Sequence, residues 1–177
     1  MAISDVRQGL AEGRVRLPKI GAVVEGPHVG LPFVVCDGDM FEVEPASEYL
    51  RDLMLNDNRA ATCRSYANDL LRWFRMLWLI ELGWDRVTEA EVALVVAFLR
   101  TAENPQRRRH QTGSAPAGSV NLRTGKSSLT RGYAPRTINH QLSVMWNLTC
   151  QPGRVHRSRQ PTPGRQLVTV VAVGSEA

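Results

Sequence analysis

The sequence predicts a mainly α protein, in which a bundle of four helices follows a small β-hairpin and precedes a disordered, basic tail. Apolar residues recur with the period of an α-helix in four segments that are separated by helix-breaking residues. The chain has 177 residues, of which 43% are hydrophobic and 22% are charged. This length and composition are typical of one globular domain with additional segments, and they exclude two full domains.

The N-terminal part of the chain is predicted to contain little regular structure apart from one hairpin. Residues 1–30 have scattered Gly and Pro and no sustained period, so we expect a loosely ordered lead-in. Residues 31–43 place apolar residues on both sides of Asp37 and Gly38, a pair that is typical of a β-hairpin turn. A helical domain is then predicted over residues 44–149.

Helix start and stop signals divide this domain into four helices. They cover about residues 45–55, 60–82, 89–101 and 135–148. Gly83 is expected to end the second helix, and Thr88 to cap the third, with Glu91 at the spacing of a capping box. Pro135 suits the first turn of the fourth helix.

The second and fourth predicted helices each have a polar, cationic face opposite an apolar one. In the second helix the apolar side chains fall within a sector of about 100°; they are Tyr66, Leu70, Trp73, Phe74 and Leu77. Its polar side chains fall within about 80° on the opposite side; they are Arg64, Asn68, Arg72 and Arg75. The fourth helix has Ile138, Leu142, Met145 and Trp146 on one side and Arg136, His140, Ser143 and Asn147 on the other. A single charged face is usually only solvated, but two of them joined through a basic loop favour nucleic-acid binding.

Positive charge is concentrated in the C-terminal half. Residues 1–99 contain ten Lys/Arg and fifteen Asp/Glu, a charge of −5, whereas residues 100–177 contain twelve and two, a charge of +10. A segment that repels itself in this way is disordered, bound to a polyanion, or both. We therefore expect a flexible basic loop over residues 103–133 and a disordered tail over residues 150–177.

Several function classes are excluded by what the sequence does not contain. No N-terminal apolar segment resembles a secretory signal, and no apolar run approaches the roughly 20 residues of a membrane helix, so a cytoplasmic location without a membrane partner is expected. The three cysteines and four histidines form no metal-ligand or catalytic spacing. The sequence thus predicts no metal, no cofactor, no small-molecule substrate and no catalytic residue.

Four segments together resemble the N-terminal core-binding domain of tyrosine recombinases, the phage-integrase-like enzymes of mobile elements. They are residues 49–53 (YLRDL), 61–75 (ATCRSYANDLLRWFR), 84–88 (WDRVT) and 133–140 (YAPRTINH). The resemblance covers roughly residues 31–147 and implies a four-helix, SAM-like bundle that clamps one side of a recombination site. Duplex DNA is then the implied partner, together with other recombinase protomers on that DNA. The residues implied to face DNA are Arg64, Ser65, Asn68, Arg72 and Arg75 on the second helix and Arg136, Thr137, Asn139 and His140 on the fourth.

The chain departs from this family after the fourth helix. The family's catalytic domain needs a His-x-x-Arg string and a later tyrosine nucleophile, and the last tyrosine here is Tyr133. His156 and Arg159 match the string but have no nucleophile to assist, so we expect DNA binding without strand exchange. The abrupt change near residues 145–150 suggests a frameshift with out-of-frame translation, or a degenerate element. A helical protein-protein adaptor and a small stand-alone DNA-binding regulator are the alternative hypotheses.

Overall fold

Five α-helices and one β-hairpin make up the residues that the structure, a computed structural model, describes: residues 2–102 and 132–149. In chain order they are α1 (Ile3–Ala11), β1 (Ala22–His28), β2 (Leu31–Cys36), α2 (Glu44–Leu55), α3 (Ala60–Leu79), α4 (Glu89–Thr101) and α5 (Pro135–Thr149). A short 3-10 helix, Trp84–Arg86, precedes α4. The prediction of a mainly α protein with a small antiparallel sheet is confirmed.

Helix α3 lies at the centre of the fold and contacts the hairpin, α2 and α5. Its side chains are buried on more than one side, because Leu71 and Trp73 are both buried although they lie about 160° apart around the helix. The apolar face that the sequence predicts is therefore correct, but it is only part of the buried surface of this helix.

The lead-in prediction for residues 1–30 is wrong, because this segment contains α1 and β1. Val6 and Leu10 of α1 are buried, and α1 packs on α4. Arg7 Nη1 lies 2.6 Å from Glu91 Oε1, which adds an ion pair to that contact. Helix α1 has only nine residues and is followed by a segment that contains glycine, so its apolar period is too short to recognise in the sequence.

The first strand of the predicted hairpin is present as β2, but the predicted second strand, residues 40–43, is not its partner. β2 pairs with β1 in the register Ala22↔Cys36 to Glu25↔Phe33. The turn at Asp37 exists, since Asp37 Oδ1 accepts hydrogen bonds from the N–H groups of Asp39 and Phe41, but only an isolated bridge, Cys36↔Glu42, follows it. Helix α2 begins at Glu44 with Val43 as its N-cap, so no second strand continues beyond the bridge.

Two helix ends differ in how well the sequence predicts them. At the start of α4 the capping box is confirmed: Thr88 Oγ1 accepts from the Ala90 N–H, and the Thr88 N–H donates to Glu91 Oε2. At the end of α3, Gly83 is not the stop signal. Glu81 adopts a φ of 53°, while the Leu82 N–H donates to Leu77 O and the Glu81 N–H to Trp78 O. This is a Schellman motif with glutamate in the position that glycine usually takes.

The basic loop and the tail lie mostly outside the described residues. At the end of the loop, however, the Tyr133 N–H donates to Leu99 O of α4 over 3.0 Å, and Arg72 lies 5.1 Å from the Tyr133 ring centroid. The prediction of a flexible loop is therefore wrong for this last residue, because two contacts hold it. Residues 103–131 and 150–177 are outside what the structure describes.

Candidate nucleic-acid interface

The two helices with predicted DNA-facing residues, α3 and α5, are joined by a polar cluster of Asp69, Arg72, His140 and Gln141. Arg72 Nη1 donates both to Asp69 Oδ1 and to Gln141 Oε1, each over 2.7 Å. Gln141 Nε2 donates to the backbone oxygen of Asp69 over 2.8 Å, and His140 Nε2 lies 3.2 Å from Asp69 Oδ2. Since buried polar groups are stable only when they are hydrogen-bonded, this cluster fixes how the two helices pack.

Five of the nine predicted residues are exposed. On α3 they are Arg64, Ser65 and Asn68, and on α5 they are Arg136 and Asn139. The Arg64 guanidinium lies 5.7 Å from the centroid of the Phe33 ring, and Asn68 Nδ2 donates to the Arg64 backbone oxygen. His140 packs edge-on against Tyr66 with ring centroids 4.8 Å apart, and this contact brings the first half of α3 beside the first half of α5.

Arg75 does not have the free guanidinium that the helical projection predicts. Its Nε donates to Ile20 O over 2.6 Å and its Nη2 to Gly21 O over 2.9 Å. Burial lowers the pKa of this guanidinium, and the positive charge of Arg72 lowers it further. Arg75 therefore holds the segment before β1 onto α3, and its charge is directed into the protein.

Arg72 is also engaged within the fold. Its side chain is 25% exposed, and its contacts with Asp69, Gln141 and Tyr133 place the guanidinium between α3 and α5. Thr137 and His140 of α5 are half-buried. The residues predicted to face DNA thus divide into an exposed set and a set that stabilises the fold.

The described residues carry a net negative charge. Residues 2–102 and 132–149 contain twelve Lys/Arg and fifteen Asp/Glu, and the rest of the chain contains ten Lys/Arg and two Asp/Glu. The described part is thus −3 and the remainder +8. Within the described part, α5 is the one α-helix without a carboxylate, and it carries Arg136 and His140. The charge distribution therefore favours attraction of a polyanion to α5 and to the positively charged residues 103–131 and 150–177.

Sequence reasoning missed Asp69 and Gln141 and misplaced Trp146. Asp69 is 7% exposed and Gln141 is fully buried, whereas Trp146, predicted in the core, is 68% exposed. A signal for the cluster exists, because Gln141 stands three residues after the buried Ile138 on the same face of α5. Trp146 lies about 80° from Ile138 on the helix, at the margin of the apolar sector.

The two cysteines of the described ranges are buried, and their thiols are not activated. Burial raises the pKa of the Cys36 thiol and of the Cys63 thiol, which opposes formation of the reactive thiolate. No His, Cys, Asp and Glu side chains of those ranges cluster in a way that could hold a metal ion. None of the described helices combines the length and apolar character that a membrane span requires.

Comparison with family models, with curated proteins and with solved structures finds no match for this chain.

Proposed function

We propose that the chain is the DNA-binding module of a site-specific recombinase of the tyrosine type, and that it holds duplex DNA without catalysing strand exchange. The observation that carries the proposal is the pairing of α3 with α5. Arg64, Ser65 and Asn68 are exposed on α3, Arg136 and Asn139 are exposed on α5, and the hydrogen bond from Gln141 to the Asp69 backbone joins the two helices. Arginine and asparagine side chains can bind guanine and adenine edges in a bidentate manner, and serine donates to phosphates.

The SAM-like bundle belongs to this proposal. The four helices that the sequence predicts correspond to α2, α3, α4 and α5, and α5 packs on each of the other three. In a clamp of this kind the polar cluster of Asp69, Arg72, His140 and Gln141 would set the angle between the two DNA-facing helices. Arg72 and Arg75 would then act through the fold, since their hydrogen bonds are internal.

The positions of the three tyrosines support the absence of strand exchange. Tyr49 stacks on Tyr66 with centroids 6.2 Å apart, Tyr66 packs against His140, and Tyr133 lies beneath Arg72. A recombinase nucleophile must reach a DNA phosphate, and each of these rings is engaged between helices. We expect no relaxation of supercoiled plasmid by the purified protein.

The binding claim is tested by the salt dependence of duplex affinity, measured by fluorescence anisotropy. Each arginine that neutralises a phosphate contributes about 0.9 to the slope of log K against log salt concentration. Arg64→Ala and Arg136→Ala should therefore each reduce the slope by about one. Arg86→Ala is the matched control, because Arg86 is exposed and follows the opposite end of α3, a helix about 30 Å long.

Two results would contradict the proposal. If no duplex binds even at low ionic strength, the DNA-binding function is wrong. If Arg86→Ala reduces the slope as much as Arg64→Ala does, DNA binds elsewhere and the interface is wrong. A protein-protein adaptor would be indicated instead by a bound protein partner that excess generic DNA does not displace.

A further inference from the structure

Trp146 is exposed to an extent that distinguishes it from the other three tryptophans of the chain. It is 68% exposed, whereas Trp73 is 1% and Trp84 is 8% exposed and Trp78 is half-buried against Phe74. An indole ring combines a large apolar face with one polar N–H group, and tryptophan is enriched at binding interfaces for this reason. The chain thus presents a single aromatic ring to solvent near the C-terminal end of α5.

The surroundings of Trp146 on α5 are polar and contain no negative charge. Trp146 shares the exposed face of the helix with Arg136, Asn139 and Ser143, at spacings of three, four and three residues. Side chains on a helix lean toward its N-terminus, which directs the indole toward the turn of Asn139 and Ser143. The same face therefore combines one flat aromatic ring, a hydrogen-bonding amide and, about 15 Å along the axis, an arginine.

We propose that Trp146 stacks on an unpaired base of single-stranded or locally opened DNA, while Arg136 binds the backbone of the same strand. The inference rests on the proposed DNA-binding function and extends it from duplex DNA to a strand with exposed bases. Stacking on an aromatic ring requires a base that is not already stacked within a duplex, and neighbouring cations hold the phosphates. The absence of carboxylates from α5 favours a polyanionic partner at this face.

A nucleobase fits this face better than another protein does. The centre of a protein interface is a cluster of several buried anchors. The other large apolar side chains that are exposed, Ile3, Val29, Met40, Phe41 and Leu55, belong to other elements. A lone aromatic ring among polar groups is instead the arrangement of a base-stacking platform.

The experiment compares the affinities of the full chain for three labelled probes of equal length. They are a duplex, the same duplex with a central unpaired loop, and a single strand. Trp146→Ala should weaken binding of the two probes with unpaired bases by about tenfold and of the duplex by less than twofold, since each stacked base contributes on that scale. Trp146→Phe keeps a ring and should retain most of the affinity. Leu55→Ala, at a side chain 81% exposed on α2, is the matched control and should change nothing.

The outcomes separate this inference from the proposed function. If Trp146→Ala leaves all three affinities unchanged, or lowers that for the duplex equally, the stacking inference is wrong while Arg64-dependent duplex binding remains. If the chain binds no DNA, both are wrong. Acrylamide quenching of the free chain adds a test: an indole that becomes shielded as protein concentration rises is an interface between copies, which would also overturn the inference.

Discussion

The two halves of α3 carry the same kind of polar face, yet they have different roles. In the first half Arg64, Ser65 and Asn68 are exposed. In the second half Arg72 and Arg75 make hydrogen bonds inside the protein. A helical projection gives the direction of each side chain from the helix axis, but it does not show which other segments cover that direction.

The segment that covers the second half precedes β1. Gly21 has a φ of 68°, and a Cβ atom there would lie 2.5 Å from Cys36 O and 3.1 Å from Leu71 Cδ1, so only glycine allows this close approach. Leu71, on the polar side of the projection, is thereby buried. Arg75 then donates hydrogen bonds to the carbonyl groups of Ile20 and Gly21, so a charge that the sequence predicts on the surface lies inside the fold.

Acid should loosen the packing of α1 on α4 before it affects the exposed half of α3, and this is the largest effect that we expect. Glu91 is buried, which raises its pKa, but hydrogen bonds from Thr88 and Arg7 lower the pKa to about 2. Because the folded pKa lies below the ordinary glutamate pKa of 4.5, this stabilisation is present above about pH 4.5 and is lost as the pH falls toward 2. The full contribution is roughly 3 kcal/mol.

Urea unfolding at several pH values measures this loss, with Glu91→Gln as the control. The variant keeps the shape of the side chain and has no charge to titrate, so its stability should fall less steeply between pH 5 and pH 2. The protection factors of the α1 amides against hydrogen exchange should fall over the same range. Parallel pH profiles of the two proteins would show that the Glu91 contacts do not hold α1 on α4.

The sequence predicts the elements that form through local interactions and misses those that depend on contacts distant in the chain. The four long helices and the Thr88 cap follow from period and spacing within a few residues. The burial of Arg75 depends on Ile20 and Gly21, which lie more than fifty residues before it in a segment without a strong period of its own. The exposed half of the candidate site was predictable for the same reason, since nothing distant covers Arg64, Ser65 and Asn68.

Replacing one arginine in each half of α3 should separate the exposed role from the stabilising role. Arg75→Ala removes two hydrogen bonds that a charged group donates and leaves the carbonyl groups of Ile20 and Gly21 without this donor. It should therefore reduce the free energy of unfolding by about 2 kcal/mol. Arg64→Ala removes an exposed contact with Phe33 and should reduce it by less than about 1 kcal/mol. Urea titrations of both variants give the comparison. Equal losses would mean that the two halves of α3 do not differ in the way described.

The smallest effect concerns the end of α3, where Glu81→Gly should stabilise the protein. Glu81 has a φ of 53°, a conformation that glycine adopts without the steric penalty of a Cβ atom. The hydrogen bonds from Leu82 to Leu77 and from Glu81 to Trp78 are made by the backbone and remain after the substitution. The gain should be about 0.5–1 kcal/mol, reduced by the greater freedom of glycine in the unfolded chain, and thermal unfolding will show it as a higher Tm.

Glu81→Ala is the matched control: it removes the same charge but keeps the Cβ atom, so it should not raise the Tm. If both variants raise it equally, the acidic charge at the C-terminus of the helix, and not the backbone conformation, is what destabilises this end of α3.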